Sequence, residues 1–177
     1  MDFTEKTLSR EVIYEGRIIR VYRDRALIPG GKEALREVVE HPGGVCIAAV
    51  DDERRVYLVE QYRYPMEENT VELPAGKLEW GEEPYLAAVR ELKEETGCTA
   101  EKIDYVGVMY PSPGFSAEKL YMYIATGLKK GEQALDEDEY LTLSLLPLKE
   151  AAERALAGEF KDGKTALLLL AADRLVE

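Results

Sequence analysis

The segment of residues 76–98 constrains the fold more than any other part of the chain, because it contains signals that start and stop a helix. Pro84 suits the first turn of a helix, where its missing N–H would have no partner, and Gly97 suits a left-handed stop. Glu82 and Glu83 lie next to Pro84 and favour the positive end of the helix dipole. The segment therefore predicts one helix that begins near Pro84 and ends at Gly97.

The faces of this helix differ in chemistry. At about 100° per residue, one face is apolar: Tyr85, Ala88, Val89 and Leu92. Glu91 and Glu95 lie on a different face, with Glu94 beside them. Such carboxylates repel one another unless a cation neutralises them, and hard divalent ions such as Mg²⁺ prefer oxygen ligands. The absence of His and Cys among these candidates argues against zinc. For an isolated acidic run, a solvated helix face is the alternative.

Strand and helix signals are mixed along the rest of the chain. Short β-branched or aromatic runs at residues 12–14, 18–22 and 36–39 precede a Pro-Gly boundary near residue 43. The apolar run at residues 45–50 predicts a strand buried on both faces. Further strands are predicted at residues 55–61, 70–73, 103–110, 120–126 and 140–146, and helices at residues 149–157 and 165–176. This order predicts an α/β fold with a mixed sheet, divided into an N-terminal β-strand region (1–43) and a larger domain (44–177).

Charge and composition narrow the class of partner. The formal net charge is −12 and no basic cluster is present, so we expect no nucleic-acid partner. The longest apolar run, residues 166–172, is too short to cross a bilayer, and no signal pattern begins the chain. We therefore expect no membrane partner and a cytoplasmic location. Cys46 and Cys98 are expected to be free and buried.

Seven residues stand at fixed spacing around the predicted helix: Gly76, Glu82, Arg90, Glu91, Glu94, Glu95 and Gly97. Their spacing matches the signature G-x5-E-x7-R-E-U-x-E-E-x-G-U, so the chain resembles the Nudix hydrolases. Only Cys98 departs from the pattern, where a larger aliphatic residue is usual. The resemblance implies a Nudix α/β/α sandwich with a mixed sheet and a small N-terminal antiparallel β-sheet. It also implies a loop–helix–loop that binds Mg²⁺ or Mn²⁺ and cleaves a nucleoside diphosphate linked to another moiety.

The same resemblance implies a role for each residue of the signature. The implied metal ligands are Glu91 and Glu95, assisted by Glu94, together with the backbone carbonyl of Ala75. Arg90 and Glu82 are expected to orient the helix and its carboxylates. Metal ions at such a site polarise a phosphoryl oxygen, lower the pKa of bound water and screen developing charge.

The flanking sequence narrows the resemblance to one subfamily. The stretch S-P-G-F-S-A-E at residues 112–118 is similar to a loop of ADP-ribose pyrophosphatases, and so are residues 36–43, 60–63 and 72–76. The implied substrate-binding residues are Arg36, Arg63, Ser112, Pro113, Gly114 and Glu118. The implied reaction is hydrolysis of ADP-ribose, a small nucleotide-sugar substrate, to AMP and ribose 5-phosphate. An ordinary turn is the alternative for the Pro-Gly residues taken alone.

Two further expectations come from the subfamily. A loop glutamate positions or activates the attacking water, which implies Glu139 as the catalytic base with Glu137 as the second choice. The N-terminal strands form a sheet exchanged across a homodimer, which makes Tyr22, Arg23 and Arg25 candidates for the partner's adenosine pocket. Ordinary packing is the alternative for these three. His41 is expected to be structural.

Two other functions remain open from the sequence. One is hydrolysis of another nucleoside diphosphate sugar, such as a GDP- or UDP-hexose, because the sequence does not identify the residues that contact the base. The other is a Nudix-fold regulator that binds ADP-ribose-like ligands without turnover. The complete set of signature glutamates argues against a regulator, since a pure binder has no need of it.

Overall fold

The computed structural model describes residues 2–135 and 139–176, and the chain divides into two compact units. The first unit comprises residues 1–43 and 110–119, and the second comprises residues 44–109 and 120–177. The loop at residues 110–119 thus belongs with the N-terminal strands, although the strands that flank it in sequence belong to the second unit.

Three antiparallel strands form the sheet of the first unit, in the order β1-β2-β3. They are β1 (Lys6–Glu15), β2 (Arg20–Leu27) and β3 (Glu33–Glu40). The central strand buries alternate residues, including Tyr22 and Ala26, whereas all ten residues of β1 are exposed. The loop at residues 110–119 joins the sheet through a parallel bridge between Val39 and Ser116.

The second unit contains two sheets and three α-helices within its described residues. A mixed sheet has the order β7-β4-β9-β8, and an antiparallel sheet has the order β10-β5-β6. The strands are β4 (Gly44–Ala49), β5 (Arg55–Arg63), β6 (Glu68–Glu72), β7 (Ala75–Lys77), β8 (Thr99–Met109), β9 (Leu120–Lys129) and β10 (Leu141–Pro147). The helices are α1 (Pro84–Thr96), α2 (Leu148–Leu156) and α3 (Gly163–Leu175), with a 3₁₀ turn at Tyr64–Met66.

Strand β4 is the centre of the second unit and is buried along its whole length, as predicted from its continuous apolar run. Ile47 packs in one hydrophobic cluster with Leu92 of α1, whereas its neighbour Ala48 packs in another with Leu168 of α3. Successive side chains of a strand point to opposite faces, so α1 and α3 cover opposite sides of the mixed sheet. This layering confirms the α/β/α sandwich.

The apolar face of α1 is only partly buried. Ala88 and Leu92 are buried, but Tyr85 and Val89 are 45% and 40% exposed. The helix is rotated so that the carboxylate face, with Glu91 and Glu95, packs toward β4 and β7. The apolar face therefore lies beside the surface of α1 that contacts β4 and β7.

Other differences are smaller. The short strand β7 was not predicted, because Pro74 before it indicates an end of regular structure. Cys46 and Cys98 are both buried and free, as predicted. None of the described helices combines the length and hydropathy needed to span a membrane.

Candidate active site

Both ends of α1 are held by residues that the sequence analysis singles out. Glu83 is the N-cap, and its carboxylate accepts a hydrogen bond from the backbone N–H of Leu86 at 3.1 Å. Gly97 ends the helix with a φ of +71°. A Cβ atom on residue 97 would lie only 2.8 Å from the carbonyl oxygen of Gly131, so both conformation and space require glycine. The position of α1 is thereby fixed at its two ends.

Two carboxylates on the buried face of α1 meet the backbone of β7. The N–H of Ala75 donates to Oε2 of Glu95 at 2.9 Å. At the next residue, Gly76, an added Cβ would lie 1.8 Å from the carboxyl carbon of Glu91. Strand β7 therefore presents bare backbone to the helix, which allows Glu91 and Glu95 to lie against it.

The guanidinium of Arg90 joins the loop before α1 to the carboxylates on the helix. Its Nη1 lies 2.6 Å from Oε1 of Glu91 and 2.9 Å from Oε2 of Glu94. Its Nε and Nη2 each donate to the carboxylate of Glu82 at 3.2 Å, and Nη2 also donates to the carbonyl of Lys77. Arg90 thus holds three carboxylates in one arrangement.

Burial changes the acid strength of the two inner glutamates. Desolvation raises the pKa of Glu91 to about 7 and the pKa of Glu95 to about 8, because a carboxylate loses hydration in this setting. Arg90 opposes this increase in the pKa of Glu91, while the charge of Glu139 adds to the increase at both glutamates. A divalent cation would favour the charged form of both carboxylates and offset the cost of burying them.

The donor atoms at this site suit a hard divalent cation. Three glutamates and a strand backbone present oxygen atoms, which are the kind of ligand that Mg²⁺ and Mn²⁺ prefer. Within residues 2–135 and 139–176, no three His, Cys, Asp or Glu side chains converge closely enough to hold a metal as they stand. Arg90 donates to one oxygen of Glu91 and one of Glu94, and the second oxygen of each carboxylate takes no hydrogen bond from Arg90. The donor chemistry therefore fits a hard divalent cation.

Glu139 is exposed, and its charge is among the smaller causes that raise the pKa of Glu91 and of Glu95. It lines a cavity of about 550 Å³ with Gln61, Tyr62 and Asn69. The second choice for the base, Glu137, lies outside the described residues.

The predicted substrate residues fall into two groups. Arg63 lies in the second unit at the end of β5, where its guanidinium pairs with Glu72 of β6 at 2.7 Å. Arg36 lies on β3 of the first unit, where its Nε and Nη2 donate to Glu5 at 2.9 and 2.6 Å. A phosphate that binds Arg36 would compete with this carboxylate.

The loop at residues 112–118 is a tight turn in the first unit. The carbonyl of Ser112 accepts hydrogen bonds from the N–H groups of Phe115 and Ser116 at 3.2 and 2.9 Å, so the turn encloses Pro113 and Gly114. Oε1 of Glu118 lies 3.6 Å from Nδ1 of His41.

His41 is largely buried, with a side chain 12% exposed, and its Nδ1 accepts from the N–H of Gly43 at 3.0 Å. These contacts suit the structural role expected for it.

Comparison with known families decides the identity of this arrangement. Residues 40–168, which include β4, β7, α1 and the glutamates, match the NUDIX domain. The chain belongs to the Nudix family. Residues 5–39 match a second family, described as the nucleoside diphosphate sugar hydrolase N-terminal domain.

Relatives of this Nudix protein extend over nearly its whole length. It is 43% identical to an ADP-ribose pyrophosphatase of Bacillus subtilis strain 168, over 92% of this chain and 89% of that protein. It is also 43% identical to a methanol dehydrogenase activator of Bacillus methanolicus, over 93% of this chain and 90% of that protein. A crystal structure of an ADP compounds hydrolase shares the fold, with a TM-score of 0.84 at 22% identity over 98% of this chain and 95% of that one.

The candidates for an adenosine pocket are already engaged within the first unit of this Nudix protein. Tyr22 is 8% exposed, and its hydroxyl donates to Glu40 at 2.8 Å. The arginines pair with acidic residues of neighbouring strands: Arg23 with Glu11 and Arg25 with Glu33. Tyr22 and Arg23 also line a cavity of about 360 Å³. Tyr22 and Arg23 therefore pack within the first unit and also border an open cavity.

Two buried charged residues of the Nudix domain, Glu72 and Lys164, were not predicted from the sequence. Their side chains are only 3% and 11% exposed, and they form an ion pair. A signal for Glu72 was present, because it ends a short strand pattern and directly precedes Leu73-Pro74 in the stretch E-L-P-A-G. No local signal marks Lys164, since its partner is 92 positions away.

Proposed function

We propose that this Nudix protein hydrolyses ADP-ribose to AMP and ribose 5-phosphate with a divalent metal ion. One observation carries the proposal: a chain 43% identical to an ADP-ribose pyrophosphatase buries two of its signature glutamates, Glu91 and Glu95, and hydrogen-bonds Glu95 to the backbone of β7. In the reaction, the oxygen of water bonds to one phosphorus and the bridging P–O bond breaks. The two protons of water are shared between the solvent and the two phosphate products.

The metal would be held by the carboxylates of Glu91 and Glu95, with help from Glu94 and the carbonyl of Ala75. Mg²⁺, or Mn²⁺ in its place, supplies polarisation of a phosphoryl oxygen and a lower pKa for bound water. Arg90 positions two of these carboxylates and links them to Glu82. The placement of Ala75 and Glu95 in one hydrogen bond supports the assignment of both to one site.

We assign the remaining roles to the loop glutamate and to the expected substrate-binding residues. Glu139 accepts a proton from the attacking water, which its exposure and its electrostatic effect on Glu91 and Glu95 support. The guanidinium groups of Arg36 and Arg63 bind phosphate or ribose oxygens. The turn formed by Ser112, Pro113 and Gly114, with Glu118 after it, binds the remainder of the substrate.

We also propose that the protein acts as a homodimer through the N-terminal region, residues 1–43. Strand β1 carries large apolar side chains that are about half exposed: Leu8, Val12, Ile13 and Tyr14. An edge strand with such side chains is a liability unless it is covered. Light scattering coupled to size-exclusion chromatography tests this, and a monomer at micromolar concentration would refute it. The two buried free cysteines suit a reducing compartment, and we place the enzyme in the cytoplasm.

Product analysis by chromatography tests the proposed activity. The protein is incubated with ADP-ribose, ADP-glucose, GDP-mannose and NADH, each with Mg²⁺ and with EDTA. We expect AMP chiefly from ADP-ribose and only with metal. Preference for GDP-mannose would support the alternative, hydrolysis of another nucleoside diphosphate sugar. Cleavage of none of them, with ADP-ribose still bound in a calorimeter, would favour a regulator.

A further inference from the structure

A buried group of charges lies behind Arg63, on the side of β6 that faces α3. Glu72 ends β6 and is 2% exposed, and Arg63 and Lys164 reach it from β5 and α3. None of these contacts follows from the Nudix signature, which ends at Cys98 and begins at Gly76. The signature therefore does not account for the role of Glu72, Arg63 and Lys164.

Glu72 receives an unusual number of donors for one carboxylate. Nε and Nη2 of Arg63 donate to its two oxygens at 2.7 Å each, a bidentate pairing. The hydroxyl of Thr70 donates to Oε1 at 2.6 Å, and Nζ of Lys164 donates to Oε2 at 2.5 Å. Four donors fix the carboxylate in position and satisfy it despite burial.

Lys164 is itself fixed by the start of α3. Asp162 is the N-cap of this helix and lies 2.9 Å from Nζ of Lys164. The next residue, Thr165, donates its N–H to Asp162 at 3.0 Å and accepts from the N–H of Leu73 at 2.9 Å. Because Leu73 follows Glu72 directly, the start of α3 holds both the backbone and the side chain at the end of β6.

The guanidinium of Arg63 is held along one edge only. Its Nε and Nη2 are used by Glu72, and within the described part of the chain no hydrogen bond involves its Nη1. Arg63 reaches the end of β6 through Glu72, three residues before Ala75, whose N–H donates to Glu95 of α1 at 2.9 Å. Hydrogen bonding by Glu72 raises the pKa of Arg63, and the charge of Glu95 adds to the increase. An arginine fixed along one edge presents the other edge with little loss of conformational entropy.

We propose that Glu72 and Lys164 are positioning residues that hold the Nη1 edge of Arg63 toward the pyrophosphate of the substrate. The inference rests on the proposed function and adds two residues to it. Lys164 anchors Glu72, Glu72 anchors Arg63, and Arg63 contacts substrate oxygens. Loss of either anchor frees the guanidinium and weakens binding of the pyrophosphate without changing the metal ligands.

A double-mutant cycle on ADP-ribose hydrolysis tests this order of action. Glu72→Gln and Lys164→Met each raise KM about tenfold, while kcat stays within about twofold, because a contact made equally in ground and transition states is weakened. Arg63→Ala raises KM at least as far. In the Arg63→Ala background, Glu72→Gln has no further effect on kcat/KM. An undiminished effect in that background would show that Glu72 acts without Arg63 and would overturn the proposal.

The chain offers a matched control that joins β6 to the residue just before the N-cap of α3. Lys161 pairs with Glu68 of β6 as Lys164 pairs with Glu72, but the Lys161 side chain is 70% exposed. Lys161→Met should leave KM unchanged. If Glu72→Gln does not fold, Thr70→Val replaces it, since it removes one donor to Glu72 and should raise KM in the same direction by a smaller factor.

A readout without turnover separates this proposal from the proposed function. In ¹H–¹⁵N spectra, the Nε–H of Arg63, assigned by its loss in Arg63→Lys, should exchange slowly with water in the wild type and in Lys161→Met. It should exchange rapidly in Lys164→Met. If the wild type cleaves no ADP-ribose but the exchange rates differ as expected, the proposed activity is refuted. The anchoring of Arg63 by Glu72 and Lys164 is then still supported. Rapid exchange of the Arg63 Nε–H in the wild type would refute the anchoring of Arg63, whether or not the protein cleaves ADP-ribose.

Discussion

A Cβ atom on Gly76 would lie 1.8 Å from the carboxyl carbon of Glu91, about half an ordinary van der Waals separation. The carboxylate of Glu91 is therefore seated directly on the backbone of β7. This close approach gives the spacing between Gly76 and Glu91 a physical meaning, because any side chain at residue 76 must displace a proposed metal ligand.

Gly76→Ala should lower kcat by about 100-fold, since displacement of a reacting group by about 1 Å has effects of that size. Steady-state kinetics with ADP-ribose measures the change, and circular dichroism checks that the fold persists. Gly163→Ala is the matched control, because nothing lies within 4 Å of an added Cβ at that helix start. Unchanged kcat in Gly76→Ala would show that Glu91 need not occupy its observed position.

Glu95→Gln should lower kcat by about 1000-fold or more and leave the fold intact, because it removes a metal-binding charge but keeps the shape of the side chain. Thermal denaturation with and without Mg²⁺ supplies a second readout, in which the metal-dependent increase in Tm should disappear. Glu101→Gln, at an exposed glutamate paired with Lys129, serves as the control. Near-normal activity in Glu95→Gln would rule out Glu95 as a ligand.

Glu72 should stabilise the fold in a pH-dependent way. Although burial opposes it, the donors around Glu72 lower its pKa from 4.5 to about 2, and the dominant favourable contribution is the hydrogen bonding by Arg63. A lowered folded-state pKa means that the contribution, about 3 kcal/mol, is complete above pH 4.5 and is lost as the pH falls toward 2. Urea unfolding of wild type and Glu72→Gln across this range should show their difference in unfolding free energy shrinking. A difference independent of pH would contradict the lowered pKa.

Replacing Gln61 by an apolar residue should stabilise the fold. Its Nε2 is buried and has no hydrogen-bond partner among the described residues, and an unsatisfied buried donor is costly. Gln61→Met should raise the free energy of unfolding by about 1 kcal/mol. In contrast, Gln133→Met should lower it, because Nε2 of Gln133 donates to the carbonyl of Glu95 at 2.5 Å. Destabilisation by Gln61→Met, measured by urea unfolding, would show that this amide has a partner in solution.

Much of the candidate site was predictable because its signals are local. Glu83, Pro84 and Gly97 set the ends of α1 through interactions with residues within one turn, and the structure has them at those ends. Strand β4 was recognisable from an apolar run that suits burial on both faces. The rotation of α1 was not predictable, because Tyr85 and Val89 are as apolar as the residues that became buried. Packing against the bare backbone at Gly76 decided the rotation.

The sequence by itself determined that this chain has a helix carrying glutamates at fixed spacing and that it belongs among mixed α/β proteins. Those properties depend on side chains a few positions apart, whose effects are additive along the chain. Only the tertiary structure decided that Glu91 and Glu95 are buried, and that Lys164 meets Glu72 across 92 positions. Such contacts form when separate elements pack around one core, so the identity of each partner depends on the whole arrangement and not on local sequence.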